Sequence, residues 1–298
     1  MYEKKIITPH VGYRLPLHLG GMGVLLINKI RYAVRGYREP RPFSPTEASK
    51  AINYDRRVVD NWLDAYQEYT GKTLEGASVL ELGPGADLGP ACFLLDRGAR
   101  QYTTVDANRL IDQTPQEFYE QLLKELHNPD EVRHELEKTL LRQDDRIKYI
   151  VDPTFTLSKL KQGTFDLLVS QAAFEHFSDI EQTFRELTPL MKSGGVLIAE
   201  VDLMTHTGAL RGRDPLNIYR YSNLFYRLMN FSGIPNRLRP NEYKASLEKN
   251  GWKDIEIIPL QTLPGTYTNN ISSQLAKPFR SDLADMHVLT FLLRATKA

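Results

Sequence analysis

Val79-Leu80-Glu81-Leu82-Gly83-Pro84-Gly85-Ala86-Asp87-Leu88-Gly89 runs an apolar strand into glycines and then into a helix. Glycines there permit a tight turn and let a ligand approach the backbone, and the following helix N-terminus offers free N–H groups. A phosphate loop would need G-x-x-x-x-G-K-[ST], and no Lys-Ser or Lys-Thr follows. A dinucleotide fingerprint G-x-G-x-x-G starting at Gly83 would end at position 88, where Leu88 stands; Gly89 comes one place late. A pyrophosphate would also be repelled by Glu81. The acidic residue on an apolar strand, two positions before the first glycine, is what both motifs leave unexplained.

Outward from this stretch, runs rich in Val, Ile and Leu alternate with helical patterns. Ser78–Leu82, Gln101–Val105, Ile147–Val151, Phe165–Val169 and Val196–Val201 read as strands. Leu88–Asp96, a pair across Pro115–Leu141 and Ile180–Met191 read as helices. Such alternation, with almost continuously apolar strands, predicts an α/β doubly wound parallel sheet. Trp252–Leu260 and His287–Ala295 supply two more strands, seven in all. Residues 203–250, rich in Arg, Tyr and Asn, read as a helical cap inserted between strands five and six. Upstream, a helix over Thr46–Tyr69 offers Ile52, Val59, Leu63 and Tyr66 as a buried stripe. The pair across 115–141 is longer than a crossover needs.

The E-x-G-x-G pattern of Glu81, Gly83 and Gly85 resembles the cofactor loop of the class I S-adenosylmethionine-dependent methyltransferases. Asp87 stands where that family has its third loop glycine. Further positions agree in order: Tyr102–Asp106, Ile147–Asp152, Phe165–Phe177, and Leu190–Ile198, which resembles the L-x-P-G-G signature with Ser193 for the proline. The match covers roughly residues 75–205. It implies a Rossmann-like seven-stranded sheet and S-adenosylmethionine as cofactor. Glu81 would hold the methionine part, and the Gly83 and Gly85 backbone would pack against the cofactor. Asp106 would accept the ribose hydroxyls, Asp152 would contact the adenine amino group, and Gln171 would complete the pocket. Three rivals stay open: a NAD-dependent dehydrogenase, disfavoured by the displaced glycine; a catalytically silent methyltransferase-like binding module; and an aminopropyltransferase, disfavoured by the Arg-rich cap.

Methyl transfer from a sulfonium is an in-line displacement, and a hydroxyl acceptor also needs a base. Of seven histidines, His176 and His206 follow strand ends facing the expected cofactor. His176 reads as a base or as a brace on the cofactor loop, His206 as a base or an acceptor contact. Glu175, Asp202 and both histidines could instead hold a divalent metal; no tight ligand spacing supports that, and no metal is expected. Arg and Tyr in the cap suit a small-molecule or glycan acceptor: a sugar, a lipid-linked glycan or a natural product, with O-methylation favoured.

Composition narrows the partners. Thirty-eight Lys and Arg against 37 Asp and Glu give +1, so there is no overall basic field and no nucleic-acid partner is expected. A single cysteine, Cys92, excludes an internal disulfide and fits a cytoplasmic chain. Residues 1–44 nevertheless hold eight basic and two acidic residues. Their uncharged run Leu15–Asn28 is fourteen residues, short of the roughly 20 a membrane span needs, and it is followed by basic residues rather than a cleavage site. From Val24, Ile27, Ile30, Val34 and Tyr37 fall on one helical face, with Asn28, Lys29, Arg31, Arg35 and Arg38 opposite. Pro40, Pro42 and Pro45 close this segment, giving an appendage over 1–45 and a methyltransferase domain over 46–298. The appendage reads as a lid or packing element hinged at Gly20, Gly21 and Gly23. The alternative is a helix spanning 13–44 on an anionic membrane surface.

Overall fold

The apolar runs become the parallel centre of a mixed sheet. The computed structural model describes residues 2–9, 15–36, 47–157, 159–281 and 285–298. Its strands are β1 (Lys5–Ile6), β2 (Ser78–Leu82), β3 (Gln101–Asp106), β4 (Ile147–Val151), β5 (Phe165–Gln171), β6 (Met191–Asp202), β7 (Trp252–Thr262) and β8 (Val288–Lys297). They lie in the order β1-β7-β8-β6-β5-β2-β3-β4. Strands β2 to β6 run parallel to one another, and β8 runs antiparallel between β6 and β7. Every residue of β2 is buried, as a strand covered on both faces must be. The order reverses between β2 and β5, so the chain departs in opposite directions there and leaves a crevice beyond the strand ends. The expected seven strands become eight because Lys5 and Ile6 pair with Gln261 and Thr262 at the sheet edge. Two residues are too few to show a period.

Two apolar layers cover the sheet. On one face α2 (Ala48–Thr70), α3 (Gly89–Asp96), α4 (Gln116–Leu123) and α5 (Pro129–Leu140) bury Ile52, Val59, Trp62, Leu94, Phe118 and Leu136 against Val79 and Ile147. Thus the 115–141 pair serves the core. On the other face α6 (Ile180–Leu187) packs Phe184 with Tyr243, Leu247 and Phe291. Tyr243 and Leu247 belong to the last helix of the expected cap, Pro240–Lys249; their i,i+4 apolar pair fixes it to the sheet, and the cap ends before it.

A third core makes the cap. Leu216, Tyr219 and Tyr226 from the segment after β6 pack with Leu263, Ile271 and Phe279 from the segment after β7. Only the first of these segments was legible as a cap. The N-terminal helix α1 (Leu15–Arg35) starts nine residues earlier than Val24 and runs unbroken through Gly20, Gly21 and Gly23. These glycines therefore form no hinge. A Cβ at Gly21 would stand 2.1 Å from the Tyr221 hydroxyl and 2.2 Å from Asn217 Oδ1, so its bare backbone lets α1 lie against the cap. Leu25 is buried in that contact, whereas Ile27, Ile30 and Val34, the expected apolar face, stay exposed. Tyr37, Arg38 and the Pro40–Pro45 boundary lie outside the described residues. Among the described residues no helix is long and apolar enough to cross a membrane.

Candidate functional site

The crevice is lined from the C-terminal ends of β2, β3, β5 and β6. After β2, Gly83 and Gly85 have φ of +70° and +82°, a region costly for residues with a Cβ. A Cβ on Gly83 would also lie 2.8 Å from that of Ala173, so the loop is pressed against the turn after β5. Glu81 is buried and accepts a hydrogen bond from the Tyr102 hydroxyl. Burial pushes its carboxyl up to about 8, with the Tyr102 bond pulling the other way. Asp106 ends β3 and accepts from the Asn108 amide at 3.0 Å; burial raises it to about 6. Gln171 ends β5, in register with Glu200. Asp152 turns back on its own loop, accepting from the Thr154 amide and hydroxyl and the Leu157 amide at 2.9–3.1 Å. A glycine cradle with carboxylates at two strand ends suits a ligand carrying a vicinal diol and an ammonium group.

Asp87 has a structural reason to replace the third glycine: its Oδ1 accepts from the Gly89 amide at 2.8 Å and closes the start of α3. Gly89 is required in turn, since a Cβ there would meet Asp55 Oδ2 at 2.2 Å. Burial and the neighbouring Asp87 push the Asp55 carboxyl up to about 10, and burial raises Asp87 to about 6. Asp55 escaped sequence reasoning, and its only trace was the glycine displaced by one position.

The two expected histidines meet. His176 lies in the 3₁₀ turn Phe174–His176 after β5, and His206 follows β6; their ring centroids are 4.8 Å apart. The His176 Nδ1 is 2.7 Å from the Gly233 carbonyl. A carbonyl only accepts, so Nδ1 carries the proton and Nε2 keeps its lone pair. The His206 Nε2 lies 3.6 Å from Asp202 Oδ2 and 3.9 Å from Glu175 Oε1. Burial draws Asp202 upward, but His206 and Arg211, the latter at 2.6 Å, hold it below the usual carboxylate range. Burial and nearby His206 lower His176 to about 4. Glu175 is 1% exposed and neither carboxylate oxygen has a hydrogen-bond partner.

From His176 a cavity of about 970 Å³ opens into the cap, lined by Asn223, Tyr226, Arg227, Arg237 and Phe279 among others. Three of the six arginines between 203 and 250, Arg220, Arg237 and Arg239, are buried and brace the cap from within, whereas Arg213 and Arg227 are exposed. Arg220 grips Asp214 through two bonds of 2.8 and 2.9 Å. Arg237 donates to the Ile218 and Tyr221 carbonyls and lies 4.0 Å from the Tyr226 ring. Arg239 donates to the Asp285 and Val288 carbonyls.

A family model described as a methyltransferase domain matches residues 54–257. A search of curated proteins gives no match. Among solved structures, phosphoethanolamine N-methyltransferase 2 of Haemonchus contortus, in complex with S-adenosyl-L-methionine, is similar at 14% identity and a TM-score of 0.47, over 80% of this chain and 52% of that one. The chain thus spans about half the length of that enzyme. The CurJ carbon methyltransferase is similar at 12% identity and a TM-score of 0.48, over 95% of this chain and 68% of that one. Geranyl diphosphate methyltransferase aligns at 13% identity and a TM-score of 0.45, over 81% and 84% of the two chains. The family match runs from α2 into β7 and takes in the strand ends around the crevice, so the chain belongs to the methyltransferase domain family.

Proposed function

We propose that the chain transfers the methyl group to a hydroxyl of a small or medium acceptor held in the cap cavity: a sugar, a lipid-linked glycan or a natural product. The observation that carries this reading is the pair of histidines after β5 and β6: His176 lines the cavity, and the His206 ring lies 4.8 Å from it. Glu81, Gly83, Gly85, Asp106 and Gln171 hold the donor, and Asp152 braces the loop beside its adenine. The acceptor oxygen bonds to the methyl carbon as the carbon–sulfur bond breaks, its electron pair passing to sulfur. The hydroxyl proton leaves on the histidine side. Residues 1–45 form the appendage of a domain spanning 46–298.

Calorimetry with S-adenosylhomocysteine tests the donor site. Glu81→Ala and Asp106→Ala should each weaken binding by about 1–3 kcal/mol, the scale for hydrogen bonds to charged groups. Unchanged affinity in both folded variants would mean that the crevice is misassigned. Labelled cofactor incubated with cell extract then reports the acceptor atom, and a label on nitrogen or carbon overturns O-methylation.

We also propose that the enzyme rests on an anionic membrane surface. Leu15, Leu19, Leu26, Ile27, Ile30 and Val34 of α1 are exposed, as are Leu224 and Leu228 of the cap helix Asn223–Leu228. The two helices adjoin, with Lys29 donating to the Asn230 carbonyl and the Tyr32 and Phe231 rings 5.6 Å apart. Residues 4–38 and 215–241 contain no Asp or Glu. Apolar side chains framed only by cations suit an anionic leaflet, where each basic residue adds about 1 kcal/mol. Tyr226 and Arg227 of the same cap helix line the cavity, so an amphipathic acceptor reaches it from that surface. Full-length protein should co-sediment with phosphatidylserine vesicles and release in high salt. Failure to sediment, or a dimer that buries the stripe in solution, sinks the idea.

A further inference from the structure

Glu175 poses a problem that methyl transfer alone leaves open. Burying a carboxylate without a hydrogen-bond partner costs several kcal/mol, and here both oxygens are bare in a side chain 1% exposed. The groups facing it are not neutral filler. One ligand atom each from Glu175, His176 and His206 lies within 4.8 Å of the others. The His176 ring is fixed by its Nδ1–H on the Gly233 carbonyl, the outer contact that turns an imidazole Nε2 toward a metal. His206 Nε2 points between Glu175 Oε1 and Asp202 Oδ2. The four residues come from the turn after β5 and the end of β6, neighbouring strands, although 27 positions separate Glu175 from Asp202. That separation is why no ligand spacing shows in the sequence.

We infer that Glu175, His176 and His206 bind a divalent transition-metal ion, with Asp202 flanking the His206 Nε2 beside Glu175. Two imidazoles and one carboxylate suit Mn²⁺, Zn²⁺ or Co²⁺ better than Mg²⁺, which prefers oxygen ligands. Bonds of about 2.1 Å place ligand atoms roughly 3 Å apart around an ion, so three groups that lie within 4.8 Å of one another must draw together by at most about 2 Å. Three protein ligands leave open positions, and the cavity beside His176 is where an acceptor oxygen would take one. This inference rests on the hydroxyl-acceptor reading and specifies it: a bound ion lowers the pKa of a hydroxyl it ligates. The histidines would then act on the hydroxyl through the ion, and its proton would leave on their side to water.

The test uses untagged full-length protein stripped with chelator and dialysed. Titration with MnCl₂, ZnCl₂ or CoCl₂ should give one ion per chain and a raised melting temperature, and cobalt should add a visible absorption band. Glu175→Gln and His206→Ala should each weaken binding at least tenfold; His206 is the exposed partner, so its variant reports even where Glu175→Gln folds poorly. A flat titration, or binding undiminished in both variants, overturns the inference. S-adenosylhomocysteine affinity measured on the same samples separates the two readings. If it persists while metal binding fails, only the metal is lost. If it is absent, the donor site itself is wrong.

Discussion

His206→Ala is expected to lower turnover by about a hundredfold or more while leaving S-adenosylhomocysteine affinity unchanged. The magnitude is the usual cost of removing a group that handles a proton in the transition state. The separation of effects follows from geometry: His206 lies beyond the end of β6, facing Asp202 and Glu175, while Glu81 and Asp106, proposed to hold the donor, sit on β2 and β3. The loss should fall on kcat more than on the acceptor KM, because the ring acts on the oxygen that reacts and not on the body of the acceptor. His176→Ala should also slow turnover, with some loss of cap order through the severed Gly233 contact. Steady-state kinetics beside cofactor calorimetry checks this, and two unaffected variants would remove the histidines from the mechanism.

Asp214→Ala should destabilise the fold by about 3–5 kcal/mol, the range for stripping one partner from a buried ion pair. The Asp214 and Arg220 side chains are 2% and 0% exposed. The same carboxylate accepts from Asn217 Nδ2 at 3.0 Å, and that amide also reaches the Leu17 carbonyl of α1. One deletion therefore leaves a buried guanidinium without its carboxylate and loosens both the cap and the helix resting on it. Chemical denaturation measures the loss. Asp214→Asn keeps the shape and the Asn217 contact, so it should recover part of the stability, and a neutral result for Asp214→Ala would show that water reaches Arg220.

The sheet and the donor crevice were legible because they are local: a strand and its terminal carboxylate occupy adjacent positions, as in β2 with Glu81 and β3 with Asp106. The places of both histidines after strand ends follow from the same rule. What stayed hidden depends on distant pairs. Asp55 explains Gly89 from 34 positions away, and Glu175 gains meaning only beside His206. The exposed face of α1 was misjudged because amphipathic spacing shows that a face is apolar without saying which one packs; the bare backbone of Gly21 settled that.

The cap also has a folding consequence. Its core draws on α1, the segment after β6 and the segment after β7, and the Tyr221 hydroxyl reaches the His18 carbonyl across 203 positions of chain. Closing such loops costs entropy before any contact returns it, whereas β2 and β3 meet across a short crossover. The sheet must assemble first and carry the three segments into range, so the cap is the last unit to form and the first to open. A chain built this way can loosen its roof while the sheet and the glycine loop below stay in place.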